Sequence, residues 1–415
     1  MTLCLCCVEA IMNSLERREL NKGFPYFIIG IVIFGWIAIS LPRMIFPPIL
    51  PLIEKTYGIP HAQAGLLMSA YMLPYASMQI PTGFLIERFG KKRFMAASAL
   101  GSAILAFFMY FVSKFEYLLL LRFIQGLLSG MWYSSSTTLV TSVAEEKNRG
   151  KIVGLSMMGG PISTIAINLI VGLLPFSDWR NYLLLSALPG LICGFLIILR
   201  FKEENKKDTE YNPMTKDLYI KAIKIPIIFL ALLFSFTSSL AGWGLQTFVP
   251  TYLVSAREVT VSEASLTLFF ASASSVFAGL TGGFLTDRFN VWLPAIASAI
   301  AMCSVSFLIP ISPLGVSMIV VFIIWGLMGG MGGQVFVVLI SQIVPLRIRG
   351  AVLGSYNFMG FVSATIGPVI FGYVADAWGF TLFFQLALAL QACGLVLVVL
   401  MMKLRHNIEA YSKLL

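Results

Sequence analysis

The stretch Gly83-Phe84-Leu85-Ile86-Glu87-Arg88-Phe89-Gly90-Lys91-Lys92-Arg93 is a short, charged, glycine-bounded break between two long apolar runs. It returns two hundred residues later, worn, as Gly283-Phe284-Leu285-Thr286-Asp287-Arg288-Phe289-Asn290. At the same offset Arg149-Gly150-Lys151-Ile152-Val153-Gly154 answers to Arg349-Gly350-Ala351-Val352-Leu353-Gly354, and Gly126-Leu127-Leu128-Ser129-Gly130 to Gly326-Leu327-Met328-Gly329-Gly330. A chain of 415 residues whose second half echoes its first is a duplication.

The runs on either side of these breaks are too apolar for a water-soluble core. Hydrophobic residues make up 58% of the chain and charged residues 12%, where a soluble domain carries about 25% charged residues. Mean hydropathy is +0.88. Runs long enough to cross a hydrocarbon layer of about 30 Å recur throughout, and the short alternating segments of an outer-membrane barrel do not. The spacing predicts helices at roughly 24–52, 62–86, 94–113, 117–140, 151–175, 180–200, 225–254, 262–286, 291–311, 315–343, 350–375 and 379–402. The expected fold is an all-α polytopic membrane protein of twelve transmembrane helices in two six-helix bundles. The bundles are 24–200 and 225–402, between an N-terminal tail 1–23, a linker 201–224 and a C-terminal tail 403–415. The linker's end, Asp217 to Lys224, reads equally as a surface amphipathic helix or as solvated chain.

Charge placement sets the expected orientation. Of 29 Lys and Arg residues, only Lys55, Lys114, Arg180 and Arg257 fall on one side, Arg43 and Arg122 fall inside helices, and the rest share the other side. Lys and Arg favour the cytoplasmic side, so both termini and the linker are expected there, in a cell membrane. Because the halves have the same parity, they are parallel repeats, an architecture that places its binding site at midplane between them. The net charge of +10 is spread over short loops rather than one soluble face, which argues against a nucleic-acid partner. Cys4, Cys6 and Cys7 offer a lipidation site; an alternative start at Met12 would remove them and leave Asn13–Lys22 as a plain cytoplasmic tail. His61 and His406 are the only histidines, and no cysteine pair reads as a disulfide framework, so no metal, cofactor or catalytic centre is expected.

Taken together these stretches resemble the major facilitator superfamily of secondary transporters. Gly83…Glu87-Arg88-Phe89-Gly90-Lys91-Lys92 is similar to its signature Gly-x-x-x-Asp-Arg-x-Gly-Arg-Lys between helices 2 and 3, with Glu87 in place of the aspartate. Arg122-Phe123-Ile124-Gln125-Gly126 resembles its helix 4 motif, and Gly154…Gly159-Gly160-Pro161 its helix 5 motif, with Gly367-Pro368 and Gly372 as the helix 11 counterpart. The resemblance covers the chain from residue 24 onward. It implies gating roles for Gly83, Glu87, Arg88, Gly90, Asp287, Arg288, Arg149 and Arg349. Gly83 and Gly283 are expected at close helix contacts, and the acids at 87 and 287 are expected to latch one face against a helix end or the arginine loops. For Lys91, Lys92 and Arg93, loop solubility suffices.

Arg43 and Arg122 carry the functional reading. An arginine at mid-membrane costs about 2.5–3.5 kcal/mol on insertion scales, and all nineteen acidic residues lie in loops, tails or helix ends. Unpaired guanidinium at midplane points to an anion, since its fork matches carboxylate or phosphate. Arg43, eight residues before Pro51, resembles the helix 1 arginine of the organic-anion and organophosphate branch. Phosphate exchangers of that branch have a second arginine eight residues before a Pro-Thr-Tyr-Leu; here Pro250-Thr251-Tyr252-Leu253 is preceded at that distance by Gly242. The acid that many proton symporters of the branch place beside the first arginine is here Pro42. A carboxylate is therefore expected over a phosphate ester, and the coupling partner (proton, sodium or counter-anion) stays open. Arg122 is either a second ligand or shared machinery of the helix 4 motif.

Further candidates for the substrate pocket are Tyr71, Tyr75, Gln125, Asn168, Trp243, Gln246, Gln334 and Asn357, with Gln79, Trp132, Tyr133, Trp325 and Tyr356 behind them. The expected function is secondary active transport of a small organic anion by alternating access, by a monomer in a lipid bilayer. A multidrug or neutral-solute exporter of the same fold is the alternative, and a membrane sensor without flux is the alternative of another class. An enzyme is not expected, because no nucleotide loop or nucleophile–base pair stands out.

Overall fold

The computed structural model describes residues 26–143, 149–201, 216–289 and 291–404. The tail 1–23, most of the linker and nearly all of the C-terminal tail lie outside the described residues, as do the side chains of Glu87, Arg149, Asp287 and Gln334. Among the described residues the chain forms helices and no strand. The first half holds α1 (Tyr26–Met44), α2 (Phe46–Tyr57), α3 (His61–Phe89), α4 (Lys91–Met109), α5 (Phe115–Val143), α6 (Arg149–Met157), α7 (Gly159–Leu173) and α8 (Arg180–Arg200). α9 (Lys216–Ile223) belongs to the linker. The second half holds α10 (Pro226–Ala256), α11 (Val261–Phe289), α12 (Trp292–Ile311), α13 (Val316–Ile343) and α14 (Leu346–Lys403).

Local chemistry explains why fourteen helices make twelve passes. Pro42 lies in the last turn of α1, and Pro47 and Pro48 follow the break at Ile45 in the first turn of α2, where a missing N–H costs little. One pass is thus two stacked helices. α6 and α7 make another, interrupted at Met158 just before Gly159-Gly160-Pro161. α14 contains two passes, parted at Gly379, whose φ of +74° is a conformation glycine reaches without strain. Among the described residues nine helical stretches are long and apolar enough to cross a membrane. The remaining passes are α3 and α5, which are more polar, and the second pass of α14. The protein is a multi-pass membrane protein. α9 packs on the second half: Ala222 is fully buried and the Tyr219 hydroxyl bonds to that of Ser355.

The repeat is visible in the packing. A Cβ on Gly126 of α5 would overlap the carbonyl oxygen of Tyr71 on α3; one on Gly326 of α13 would overlap that of Ala271 on α11. A Cβ on Gly130 would come within 2.5 Å of the Tyr75 carbonyl oxygen, and one on Gly330 would stand 3.5 Å from that of Ser275 and 2.6 Å from the Ala278 methyl. Each partner is displaced by the sequence offset, so the same helix pair is built twice, brought together by small residues. Gly83 corrects the sequence reading: nothing lies within 4 Å of where its Cβ would stand. The close approaches fall on α5 and α13 instead, and Gly83, in the last turns of α3, is past them.

The two ends of the molecule differ. The end carrying the 88–93 loop, Arg200, Arg288, Arg349 and Lys403 is the basic end. There the apolar core is split. Ile31, Trp36, Met95, Trp132 and Ile197 form one cluster in the first half, and Ile228, Trp292, Phe336, Val352 and Met401 another in the second. Towards the opposite end a single cluster runs across both halves, from Phe46, Leu67 and Tyr71 to Phe248, Phe371 and Phe383. The seam is tight there. A Cβ on Gly65 would come within 2.5 Å of the Pro368 carbonyl oxygen, one on Gly372 within 2.6 Å of that of His61, and one on Gly172 within 2.6 Å of Leu266.

Candidate functional site

A cavity of about 560 Å³ lies between the halves. Its first-half wall is the broken pass α1–α2 and the broken pass α6–α7, through Arg43, Pro47, Pro48, Gly160, Pro161 and Asn168. The helix junctions place these residues: Ile45 and Met158 keep helical dihedrals, and the prolines and glycines after them present little side-chain bulk to the cavity. The second-half wall is Trp243, Gln246, Trp325, Tyr356 and Gln391, with serine hydroxyls from α10, α11 and α12. Asn168 donates to the Ser272 hydroxyl at 2.7 Å and ties the two walls together.

Arg43 is the one charged side chain among the described residues that line this cavity. Its Nη2 donates to the Ser40 hydroxyl at 3.3 Å. Its Nε is buried and has no protein acceptor. Its guanidinium carbon stands 5.6 Å from the centre of the Tyr75 ring. A cation with spare donors, held against an aromatic face in a mostly apolar wall, has the chemistry to accept one anionic group.

Arg122 is treated in the opposite way. It is 0% exposed and does not reach the cavity. Its Nε donates to the Leu67 carbonyl at 3.1 Å, and Nη1 donates to the Pro42 carbonyl at 3.2 Å and to Gln125 Oε1 at 2.9 Å. The guanidinium is sandwiched between the rings of Phe46, at 4.0 Å, and Tyr71, at 4.5 Å. It binds α5 to α1, α2 and α3. Gln125 completes the knot by donating to the Ser102 carbonyl of α4. Tyr71 stacks on Tyr75 with centroids 5.8 Å apart, so a column runs from the cavity inward: Arg43, Tyr75, Tyr71, Arg122, Phe46.

Of the pocket residues expected from sequence, Arg43, Asn168, Trp243 and Gln246 line the cavity. Arg122, Gln125, Tyr71 and Tyr75 stand behind its wall and are buried. Asn357 is exposed and does not line it; its neighbour Tyr356 does, because adjacent helical residues point about 100° apart. The Gln334 side chain is outside the described residues. Missed altogether were the serines, Ser235, Ser238, Ser239, Ser272, Ser275 and Ser298, and Gln391 on the last pass. The signal was present in part, as hydroxyl runs inside otherwise apolar helices at 235–239 and 272–275.

For the gating residues, Gly90 has a φ of +84° and joins α3 to α4, Arg88 is exposed beside the Phe89 ring, and Arg288 is exposed. Arg349 Nε donates to the Val344 carbonyl at 3.2 Å, closing the turn before α14. The acids at 87 and 287 and Arg149 are outside the described side chains, so the latch stays an expectation. Among the described residues no group of three His, Cys, Asp or Glu side chains could hold a metal ion.

The sequence matches the family model for the Major Facilitator Superfamily over residues 32–368 and 231–412. The cis,cis-muconate transport protein of Acinetobacter baylyi is 23% identical over 360 residues, 83% of this chain and 86% of the relative. The probable sulfoacetate transporter SauU of Cupriavidus necator is 24% identical over 405 residues, 89% of this chain and 92% of the relative. Among solved structures, a bacterial homologue of the human lysosomal transporter Spinster, inward-facing and occupied, superposes with a TM-score of 0.75 at 17% identity, covering 94% of this chain and 97% of that one.

Proposed function

This chain belongs to the Major Facilitator Superfamily, and from that premise we propose that it is a secondary active transporter of small organic anions, carboxylates above all, working by alternating access. The observation that carries the reading is Arg43: one guanidinium on the cavity wall, with a buried Nε that no protein group accepts. A carboxylate docked against the guanidinium neutralises the charge. The muconate and sulfoacetate transporters among its relatives handle organic acids by name, which supports the same class here.

The shape supports the mechanism. A core fused at one end and split at the other is what a rocking pair of bundles has in one of its two states. With Lys and Arg loops on the cytoplasmic side, the split end faces the cytoplasm, the termini lie there, and the state is inward-facing. The cavity then loads or empties towards the cytoplasm. The exchange of open ends would carry Arg43 and its ligand from one side to the other without moving the guanidinium far. The cell membrane is the compartment that this charge pattern suits, and no second copy is needed to complete the cavity.

Uptake of a radiolabelled carboxylate into proteoliposomes tests the proposal. Wild-type protein is expected to take it up, and Arg43→Ala is expected to lose uptake while unfolding at the wild-type temperature. Uptake undiminished in R43A removes anion recognition from this residue. A second reading, export of apolar or neutral solutes, draws on Trp243, Trp325, Met302 and Met328 in the same wall; it requires flux of an uncharged solute that R43A leaves unchanged. Ligand binding with no flux of either kind would favour the sensor.

A further inference from the structure

Away from the cavity, at the end opposite the basic loops, one ionisable cluster spans the seam between the halves. Asp376 of α14 accepts the backbone N–H of His61 at 2.9 Å on Oδ1 and that of Ala62 at 2.8 Å on Oδ2. A carboxylate from the second half therefore caps the first turn of α3 in the first half, satisfying free N–H groups and facing the positive end of the helix dipole. The His61 ring, the side chain of that same first residue, pairs through Nδ1 with Glu54 Oε1 at 2.9 Å. The ring is packed from the second half by Phe248 of α10 and Phe380 of the last pass, with centroids 5.9 and 5.4 Å away.

We propose that His61, together with Glu54 and Asp376, is a proton-binding site that holds this end of the transporter closed. One proton turns the imidazole into a cation bonded to the Glu54 carboxylate of its own half and attracted by the Asp376 carboxylate of the other. Without it, Glu54 and Asp376 face a neutral ring across a seam that must stay shut. The charged groups that act on the ring are Glu54 of α2, in direct contact, and Asp376 of α14, through its charge at the backbone of the same residue; α10 and the last pass pack phenylalanines against it. When the end opens, Asp376, Phe248 and Phe380 leave with the second half, and Glu54 alone stays with His61.

The sign follows from these neighbours. Burial pulls the His61 pKa down, but the hydrogen bond and charge of Glu54 and the charge of Asp376 outweigh it, and the net shift is upward. Opening removes Asp376 and lets water screen Glu54, so the ring returns towards its ordinary value near 6.5. The proton thus favours the closed end. That stabilisation is fully present below the ordinary imidazole pKa and is lost as pH rises through the raised value of the closed state. Acid on this side shuts the end, and alkali frees it.

The proposal takes from the transport reading only that the halves rock; it needs neither Arg43 nor substrate. Spin labels at Lys55→Cys and Ala256→Cys, exposed positions on opposite sides of the seam, report its width in the full chain in nanodiscs with the native cysteines replaced. The open population is expected to rise several-fold between pH 5.5 and 8.5. His61→Gln, which keeps a neutral hydrogen-bonding side chain, is expected to make it independent of pH. Glu54→Gln, which removes the strongest neighbour holding the proton, is expected to shift the midpoint to lower pH. A pH dependence that survives in H61Q, or a midpoint unmoved in E54Q, overturns the proposal. So does a wild-type seam that pH never widens; carboxylate uptake by the same wild-type preparation then tells that failure from a failure of the transport reading.

Discussion

Two guanidiniums lie inside the first half of this protein, and the fold handles them in opposite ways. Around Arg122 three carbonyl-type oxygens take its N–H groups and two rings cover its faces, so nothing is left to offer a ligand. Around Arg43 the chain supplies one hydroxyl and one ring, and leaves Nε buried without an acceptor on the cavity wall. A saturated charge is a fastening. An unsaturated one on a cavity wall keeps a donor for a ligand, which is the role proposed for Arg43. Both are positively charged; what separates them is that Arg122 is fully buried with its donors used, while Arg43 is half-buried on the cavity wall with a donor unused.

The largest effect that could break this contrast is on stability. Arg122→Ala strands the Leu67 and Pro42 carbonyls and Gln125 and leaves a void between two rings, a loss on the order of 3–5 kcal/mol. Thermal unfolding in detergent is expected to drop steeply, with Arg122→Lys recovering little of it because the fork is lost. If R122A unfolds like the wild type yet loses transport, the two arginines are alike and the contrast falls.

Next in size is Arg43→Lys. It keeps the charge but gives up the planar fork, so anion affinity is expected to weaken by about tenfold, or ~1.4 kcal/mol, while the unfolding temperature stays put. Titration calorimetry against unfolding separates the two. A smaller effect belongs to the ring between them. Tyr75→Leu removes the aromatic face that positions Arg43 and is expected to weaken binding by about 0.5–1 kcal/mol, with Tyr75→Phe unchanged in uptake assays. Smallest of all is Asn357→Ala, at an exposed position off the cavity; uptake and stability should move by less than about 0.5 kcal/mol.

By local chemistry the two arginines look alike in the sequence, each a lone cation in an apolar run with no acid in reach along the helix, and the helix 4 motif around Arg122 leaves ligand or shared machinery open. Only packing tells them apart. Two of the three oxygen acceptors of Arg122 lie on other helices, 55 and 80 residues away along the chain, and both are backbone oxygens of a kind that every residue carries. The twelve passes, by contrast, were legible because hydropathy, proline and glycine act within one helix, and the repeat was legible because duplication copies residue types at a fixed offset. Even there Gly83 misled, since a motif glycine need not be a packing glycine; Gly126 and Gly326 held the contacts. The cavity's serines escaped notice because Ser inside a helix usually bonds back to its own turn, as Ser275 and Ser298 do here. His61 escaped because Asp376, its partner across the seam, is 315 residues away.

The central claim is that Arg43 reads negative charge, and the most direct measurement varies the ligand's charge and the protein's together. Calorimetric titration of a small carboxylate and of its primary amide, each into wild type and Arg43→Ala, gives the four affinities needed. The carboxylate is expected to bind wild type more tightly than the amide by about 1.5–3 kcal/mol, as for a hydrogen bond to a charged group, and R43A is expected to bind both alike and weakly. Undiminished preference for the carboxylate in R43A would contradict the claim.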